Sequence, residues 1–319
     1  MKVCAACHTD LSKESYSKKQ WKLDECQRRC KLCITNNRKV KPIPKQDNDN
    51  NTNTNGLIKS LDSMYLENID KEISDEKLFK QPPPGEDCPI CYLLLPTLNT
   101  GRKYQTCCGK VICSGCIHAP VYDNQGNEVD NEKCPFCRTP HPTSDEEIVE
   151  RINKRAEMND ANAIYNLGCF YSRGSYGFPQ DCVKALELYH RAGELGYANA
   201  YNHIGNAYHN GRVVEIDKQK AKYYYELAAI EGDSMARNNL GICEACTDNM
   251  DRAIKHFMIA IQGCRTQSLN MIRKLYRDGY ATKEEYMKAL QSYQTYLSEI
   301  KSSQRDEAAA FDSEQFRYY

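Results

Sequence analysis

The chain has no apolar run of about 18 residues, the length a membrane-crossing helix requires, so no membrane span is expected. Its amino terminus, Met-Lys-Val-Cys-Ala-Ala-Cys-His over residues 1–8, offers no apolar stretch that could serve as a signal peptide. No glycine loop of phosphate-binding form follows a strand pattern. The seven histidines are scattered without metalloprotease spacing, and no Ser-His-Asp or Cys-His arrangement stands out. An enzyme with its own nucleophile and active-site pocket is therefore not expected. The chain is read as cytoplasmic or nuclear. Net charge is also absent overall, but residues 1–45 carry twelve Lys/Arg against four Asp/Glu, so a local +8 is balanced by −8 across the remainder.

What the sequence has in abundance is cysteine, eighteen residues in 319. Disulfides and metal are the two readings of such a count. A reducing compartment disfavours disulfides, and many of the cysteines fall in C-x2-C pairs, which suit a tetrahedral metal better than a staple. Zinc is the preferred reading.

Composition separates the chain into zones. Residues 1–36 hold five cysteines and the only tryptophan, Trp21, read as the small core of that module. Residues 37–84 are polar and rich in Asn and Asp, a linker with too little apolar surface to fold. Within it Leu57, Leu61, Met64, Tyr65 and Ile69 have helical spacing, which suits either a short docking helix or a transient one. Residues 85–142 contain the densest cysteine cluster. Helical patterning runs over 144–300, and 301–319 form an aromatic, charged tail.

In the central cluster, Cys88-Pro-Ile-Cys91 is followed after fifteen residues by Cys107-Cys108, then by Cys113-Ser-Gly-Cys116 and Cys134-Pro-Phe-Cys137. Eight thiolates suffice for two four-coordinate structural zincs. The run Cys107 to Cys116 resembles the central block of the RING finger family in its all-cysteine form. Lys110 stands where that family commonly has a histidine ligand, and Cys107 next to Cys108 supplies the eighth ligand instead; His118 is the alternative. The resemblance implies a cross-brace, with Cys88, Cys91, Cys113 and Cys116 on one metal and Cys107, Cys108, Cys134 and Cys137 on the other. It also implies contacts with a ubiquitin-conjugating enzyme through Ile90 in the first knuckle, Pro135 in the last, and Arg138 directly after it. Against a ligase stands Ile117-His118-Ala119-Pro120-Val121, where many RING ligases carry an aromatic. A segment this poor in apolar residues would draw its folding free energy from the metal, about 10 kcal/mol or more in comparable zinc peptides.

Cys4-x2-Cys7 and Cys30-x2-Cys33, twenty-two residues apart, can enclose one further zinc and look like a small zinc ribbon or treble clef. The surrounding lysines and arginines could meet phosphate backbones weakly and nonspecifically, or an acidic protein. The bland reading is a solvated basic surface.

The helical zone repeats itself. Ala163-Ile-Tyr-Asn-Leu-Gly168, Ala200-Tyr-Asn-His-Ile-Gly205 and Ala236-Arg-Asn-Asn-Leu-Gly241 align at spacings of 37 and 36. Lys184-Ala185 aligns with Lys220-Ala221, Ala192 with Ala228, and Ala253 and Ala260 continue the series in a shortened third copy. Asp181 and Asp217 read as N-caps, Gly196 and Gly232 as helix ends, and Thr282 with Glu285 as a capping box. This pattern is similar to the Sel1-like repeat, a relative of the tetratricopeptide repeat, over about residues 160–264, with a degenerate fourth unit after Ser268. Cys243 and Cys246 fall at helical repeat positions and are read as thiols rather than ligands.

The expectation is thus a mostly α protein: a small N-terminal zinc module, a RING-type cross-brace with two zincs, and an α-α solenoid that binds protein partners. A ubiquitin-ligase component is the first functional reading, and a zinc-stabilised interaction scaffold is the second.

Overall fold

The computed structural model describes residues 2–3, 10–11, 73–119, 133–211, 214–263 and 266–318. The chain divides into two compact units, Met1–Leu57 and Ile58–Tyr319. In the first, β1 (Lys2–Val3) and β2 (Asp10–Leu11) pair antiparallel, with Lys2 opposite Leu11. The expected ligands Cys4, Cys7, Cys30 and Cys33 lie outside the described residues, as do the 57–69 stretch, the loop before Lys133 and Cys264.

The second unit opens with a single helical turn, α1 (Asp75–Leu78). A hairpin of β3 (Arg102–Tyr104) and β4 (Val111–Cys113) leads into the short α2 (Ser114–His118). A run of antiparallel helices follows. It comprises α3 (Asp145–Glu157), α4 (Ala161–Arg173), α5 (Cys182–Glu194), α6 (Ala198–Asn210) and α7 (Lys218–Ile230). It continues through α8 (Ser234–Cys246), α9 (Met250–Ile261), α10 (Thr266–Arg277), α11 (Lys283–Ile300) and α12 (Ser303–Phe311). No helix among the described residues is long and apolar enough to cross a membrane.

The helix starts follow from side chains. Asp160, Asp181, Asp217 and Asp233 each accept a backbone N–H of the turn they open, and such caps contribute about 1 kcal/mol each. The capping box of Thr282 and Glu285 closes at the start of α11. Gly196 and Gly232 lie one residue past the C-caps of α5 and α7.

The recurring glycine has a packing cause. A Cβ at Gly168 would stand 2.7 Å from the Tyr189 ring, at Gly205 2.6 Å from Tyr225, and at Gly241 2.5 Å from Phe257. Each aromatic comes from the second helix of its hairpin and lies against the backbone of the first. The recurring alanines Ala163, Ala200 and Ala236 are fully buried in the same layer. The core runs continuously from Leu78 through α3–α8, with a second cluster in α9–α11.

Two boundaries differ from the sequence reading. Residues 73–84, assigned to the linker, are seated on the solenoid. Leu78 is fully buried, the Phe79 ring lies 4.7 Å from that of His256, Asp75 pairs with Arg252, and Gln81 Nε2 donates to Gln262 Oε1 at 2.8 Å. Three apolar anchors, Ile73, Leu78 and Phe79, are too few in a polar stretch to show a period, and their partners lie far along the chain. The tail 301–319 likewise contains α12, which packs on α2, and Tyr318 is buried against the end of α11. The zinc-type module and the solenoid therefore share one compact unit.

The glycine contacts give a direct test. Gly241→Ala should lower unfolding stability by about 1–3 kcal/mol, the cost of a methyl forced into a filled core. Urea denaturation should show a lower midpoint with an unchanged m-value. A wild-type midpoint would contradict the close approach of α8 and α9.

Candidate metal centre

The module between Glu86 and Pro140 is built from three backbone turns, and each turn carries a cysteine pair. In the first, the Tyr92 N–H donates to the Cys88 carbonyl and the Cys88 N–H to Leu93, both at 2.9 Å. In the last, the Arg138 N–H donates to Cys134 (2.9 Å) and the Cys134 N–H to Thr139 (2.8 Å). The residue after each pair has left-handed backbone, with φ of 56° at Tyr92 and 62° at Arg138. The middle turn follows the same logic, with the Gly109 N–H donating to Gln105 at 2.8 Å. Gly109 has φ +71°, and a Cβ there would stand 2.7 Å from Asp160 Oδ2, so backbone and contact both require glycine. This bend lets the adjacent Cys107 and Cys108 turn toward one centre.

The result is two quartets of thiols. Cys88, Cys91, Cys113 and Cys116 gather in one, and Cys107, Cys108, Cys134 and Cys137 in the other, each with its sulfurs within 4.8 Å of one another. The sulfur of Cys91 lies 3.8 Å from that of Cys113, and Cys108 lies 3.9 Å from Cys134. Zinc–sulfur bonds of about 2.3 Å at tetrahedral angles put sulfurs about 3.8 Å apart. The donor set and its spacing therefore fit a zinc ion in each quartet. Without a cation the protons are shared unevenly, and the Cys113 and Cys116 neighbours hold the Cys88 thiol down. Bonds to Cys113 and Cys88 push the Cys116 thiol up, and burial followed by its Cys137 and Cys134 neighbours pushes Cys107 up. His118 belongs to neither quartet; its ring packs on Phe311 at 4.9 Å and Phe316 at 5.7 Å. Lys110 points its Nζ over the Phe136 ring at 6.0 Å. Cys243 and Cys246, on α8, also lie outside both groups.

Side chains from distant elements brace each quartet. Arg155 of α3 donates to the Cys107 carbonyl at 2.7 Å, and the Tyr104 hydroxyl donates to Asp160 Oδ2 at 2.7 Å. At the other quartet, Arg305 of α12 reaches the Leu93 and Leu94 carbonyls and Cys91 Sγ. Burial works against the charge of Arg305, and the sulfurs of Cys113 and Cys91 favour it. The Thr97 N–H donates to the Tyr296 hydroxyl at 3.1 Å and the Thr97 hydroxyl to the Gly263 carbonyl at 2.7 Å, and Thr100 bonds the Arg317 carbonyl. None of these residues stands out in the sequence, because their partners are distant along the chain.

Of the residues expected to meet a partner, Ile90 is exposed at 36%, Arg138 is exposed and Pro135 is half-buried; Phe136, not among them, is exposed at 43%. A cleft of about 1010 Å³ lies between the β3 side of the module and helices α4 and α6. Arg102, Tyr104, Asn162, Tyr165, Arg173 and Asn199 are among the residues that line it.

Comparison with known proteins places part of this architecture. Residues 161–197 and 198–233, the α4–α5 and α6–α7 hairpins, match the Sel1 repeat family model. Over 56 residues the chain is 41% identical to the E3 ubiquitin-protein ligase DA2 of Arabidopsis thaliana, covering 18% of this chain and 12% of that protein. It is 40% identical over 57 residues to the E3 ubiquitin-protein ligase GW2 of Oryza sativa subsp. japonica, covering 17% and 11%. It is 27% identical over 115 residues to the ERAD-associated E3 ubiquitin-protein ligase component HRD3B of Arabidopsis thaliana, covering 35% and 18%. The chain thus spans less than a fifth of the length of each of these relatives. A solved Sel1 repeat protein from Oxalobacter formigenes, 24% identical, aligns with a TM-score of 0.43 over 56% of this chain and 69% of that one. Of the repeats read from the sequence, the two over residues 161–197 and 198–233 match the Sel1 repeat.

Proposed function

We propose that this protein is a zinc-binding component of a ubiquitin ligase. Residues 88–137 dock a conjugating enzyme and the Sel1 repeats recruit protein partners. The observation that carries this reading is the pairing of two thiol quartets with exposed side chains, Ile90, Phe136 and Arg138, on the turns that form them. The names of the DA2, GW2 and HRD3B relatives support it. Such a module does no covalent chemistry. It favours the reactive arrangement of a charged conjugating enzyme by binding that arrangement better. Ile90 supplies the apolar anchor, Pro135 packs beside it, and the Arg138 guanidinium bridges to ubiquitin through its planar fork. The cleft between module and solenoid, with its asparagines, arginines and tyrosines, suits a polar peptide segment of a partner.

The scaffold reading is favoured by one observation. Ser114, Gly115 and Cys116 of α2 are buried, and α12 packs on that helix, so part of the module's surface is engaged within the chain.

Elemental analysis of the full chain should return three zincs, two in the quartets and one in the Cys4, Cys7, Cys30 and Cys33 set. Two would remove the N-terminal site, and none would remove the metal reading. In a reconstituted discharge assay across a panel of conjugating enzymes, Ile90→Ala should weaken docking by about 1–3 kcal/mol. Arg138→Ala should slow ubiquitin discharge while docking stays near wild type. Absence of discharge with every enzyme, with binding unchanged in both variants, would leave the scaffold reading in its place.

A further inference from the structure

Arg305 combines the burial of a core residue with a permanent positive charge. It is 0% exposed. Its Nη1 donates to the carbonyls of Leu94 at 2.9 Å and Ile300 at 2.6 Å. Its Nη2 faces the Leu93 carbonyl at 3.5 Å and Cys91 Sγ at 3.8 Å, and its Nε has no hydrogen-bond partner. No carboxylate is among these partners. A buried cation without an opposite charge is strongly unfavourable, and carbonyl dipoles relieve only part of that. The group that can supply the missing charge is the first thiol quartet. Four thiolates on one divalent zinc leave two net negative charges. The quartet bears that full charge only when it holds the metal, because metal binding displaces the remaining thiol protons.

The contact is seated tightly enough for this coupling to move a whole element. A Cβ at Gly115 of α2 would stand 2.9 Å from both the backbone N and the Cγ of Arg305. Ser302 caps α12 by accepting the Arg305 N–H at 3.3 Å, which fixes the guanidinium at the first turn. Beyond it, Tyr318 is 1% exposed and donates its hydroxyl to Asp306 at 2.5 Å, while Phe311 and Phe316 flank His118. The second quartet is braced differently. Half-buried Arg155 donates there to a carbonyl, that of Cys107.

We propose that Arg305 is the counter-charge of the first zinc site, and that the C-terminal segment is consequently a metal-dependent latch. α12 docks on α2 when the first quartet is loaded and releases when it is stripped, uncovering Ser114, Gly115 and Cys116. This rests on the zinc reading above. It adds that one of the two sites controls access to a face of the module, and that a residue over two hundred positions away controls that site.

The test uses the zinc-loaded full chain. Hydrogen exchange is followed by mass spectrometry before and after chelation, with zinc loss checked by elemental analysis. Residues 303–318 should exchange at least about tenfold faster after chelation, on the scale of losing a charged hydrogen bond, while α4–α8 keep their protection. Because chelation also loosens the docking partner of α12, a second arm isolates the charge. Arg305→Lys, Arg305→Gln and Arg305→Met are challenged with chelator, and alkylation is read cysteine by cysteine. Gln and Met should speed alkylation of Cys88, Cys91, Cys113 and Cys116 by about tenfold and leave Cys107, Cys108, Cys134 and Cys137 near wild type. Lys, which keeps the charge, should restore most of the wild-type rate. Unchanged protection of 303–318 after proven zinc loss overturns the latch and leaves the zinc reading standing. So does a Lys variant that behaves like Met, or a Gln or Met variant that behaves like wild type. A full chain that carries no zinc overturns both. If a variant fails to fold, the exchange arm on the wild-type chain decides.

Discussion

Four sulfurs held within 4.8 Å of one another repel once they ionise, and the arrangement of residues 86–140 depends on relieving that repulsion. The apolar content there is small. Among the described residues, Leu95 and Ile112 are the aliphatic side chains buried among the thiols, too little to hold three turns and a hairpin together. A tetrahedral cation in each quartet would convert the repulsion into the strongest bonds in the module. The knuckle turns prepare for this. The left-handed residues Tyr92 and Arg138 close the first and last turns with short backbone hydrogen bonds, so that both sulfurs of a pair face inward. Backbone strain at those two residues is of order 1–3 kcal/mol each, which a structural zinc site outweighs several times over.

The helical half obeys a different constraint. In a repeat array each unit contacts its neighbours, and the end units are left with faces to cover. Here the cysteine module covers both ends of the run. Asp160, at the start of α4, and Arg155 hold one side of it; Tyr296, Arg305 and Arg317 hold the other. The segment 73–84 adds a strap across α7–α9, with Leu78 buried and Phe79 against His256. The module is therefore braced by elements that begin and end the solenoid.

Legibility in the sequence follows the distance over which each feature is encoded. The C-x2-C pairs are visible because their turn is local, and the two gathered quartets are those the RING resemblance implied. The recurring glycines are visible because each lies in a repeated block, where an aromatic of the following helix, Tyr189, Tyr225 or Phe257, meets it. Arg305, Leu78 and Tyr318 are invisible for the opposite reason. Nothing near Arg305 in the sequence distinguishes it from a surface arginine, since its partners Leu93 and Leu94 lie 212 and 211 positions away. The linker composition of 37–84 conceals the strap for the same reason: three apolar side chains, Ile73, Leu78 and Phe79, are enough to anchor a chain on a preformed surface but too few to define a period.

These separations also order the assembly. Helix hairpins such as α4–α5 and α6–α7 make their contacts within about forty positions and close at little entropic cost, whereas joining Cys91 to Arg305 closes a loop of more than two hundred. The long-range contact forms best on a solenoid that already holds α11 and α12 in position. It also places a bare guanidinium in the interior, so its stability depends on the charge it finds there. If the first quartet is empty, the contact is geometrically available but meets less negative charge. If it is filled, the same contact is favoured. A single buried arginine thus ties the completion of the C-terminal fold to the state of a metal site that the repeats themselves do not contain.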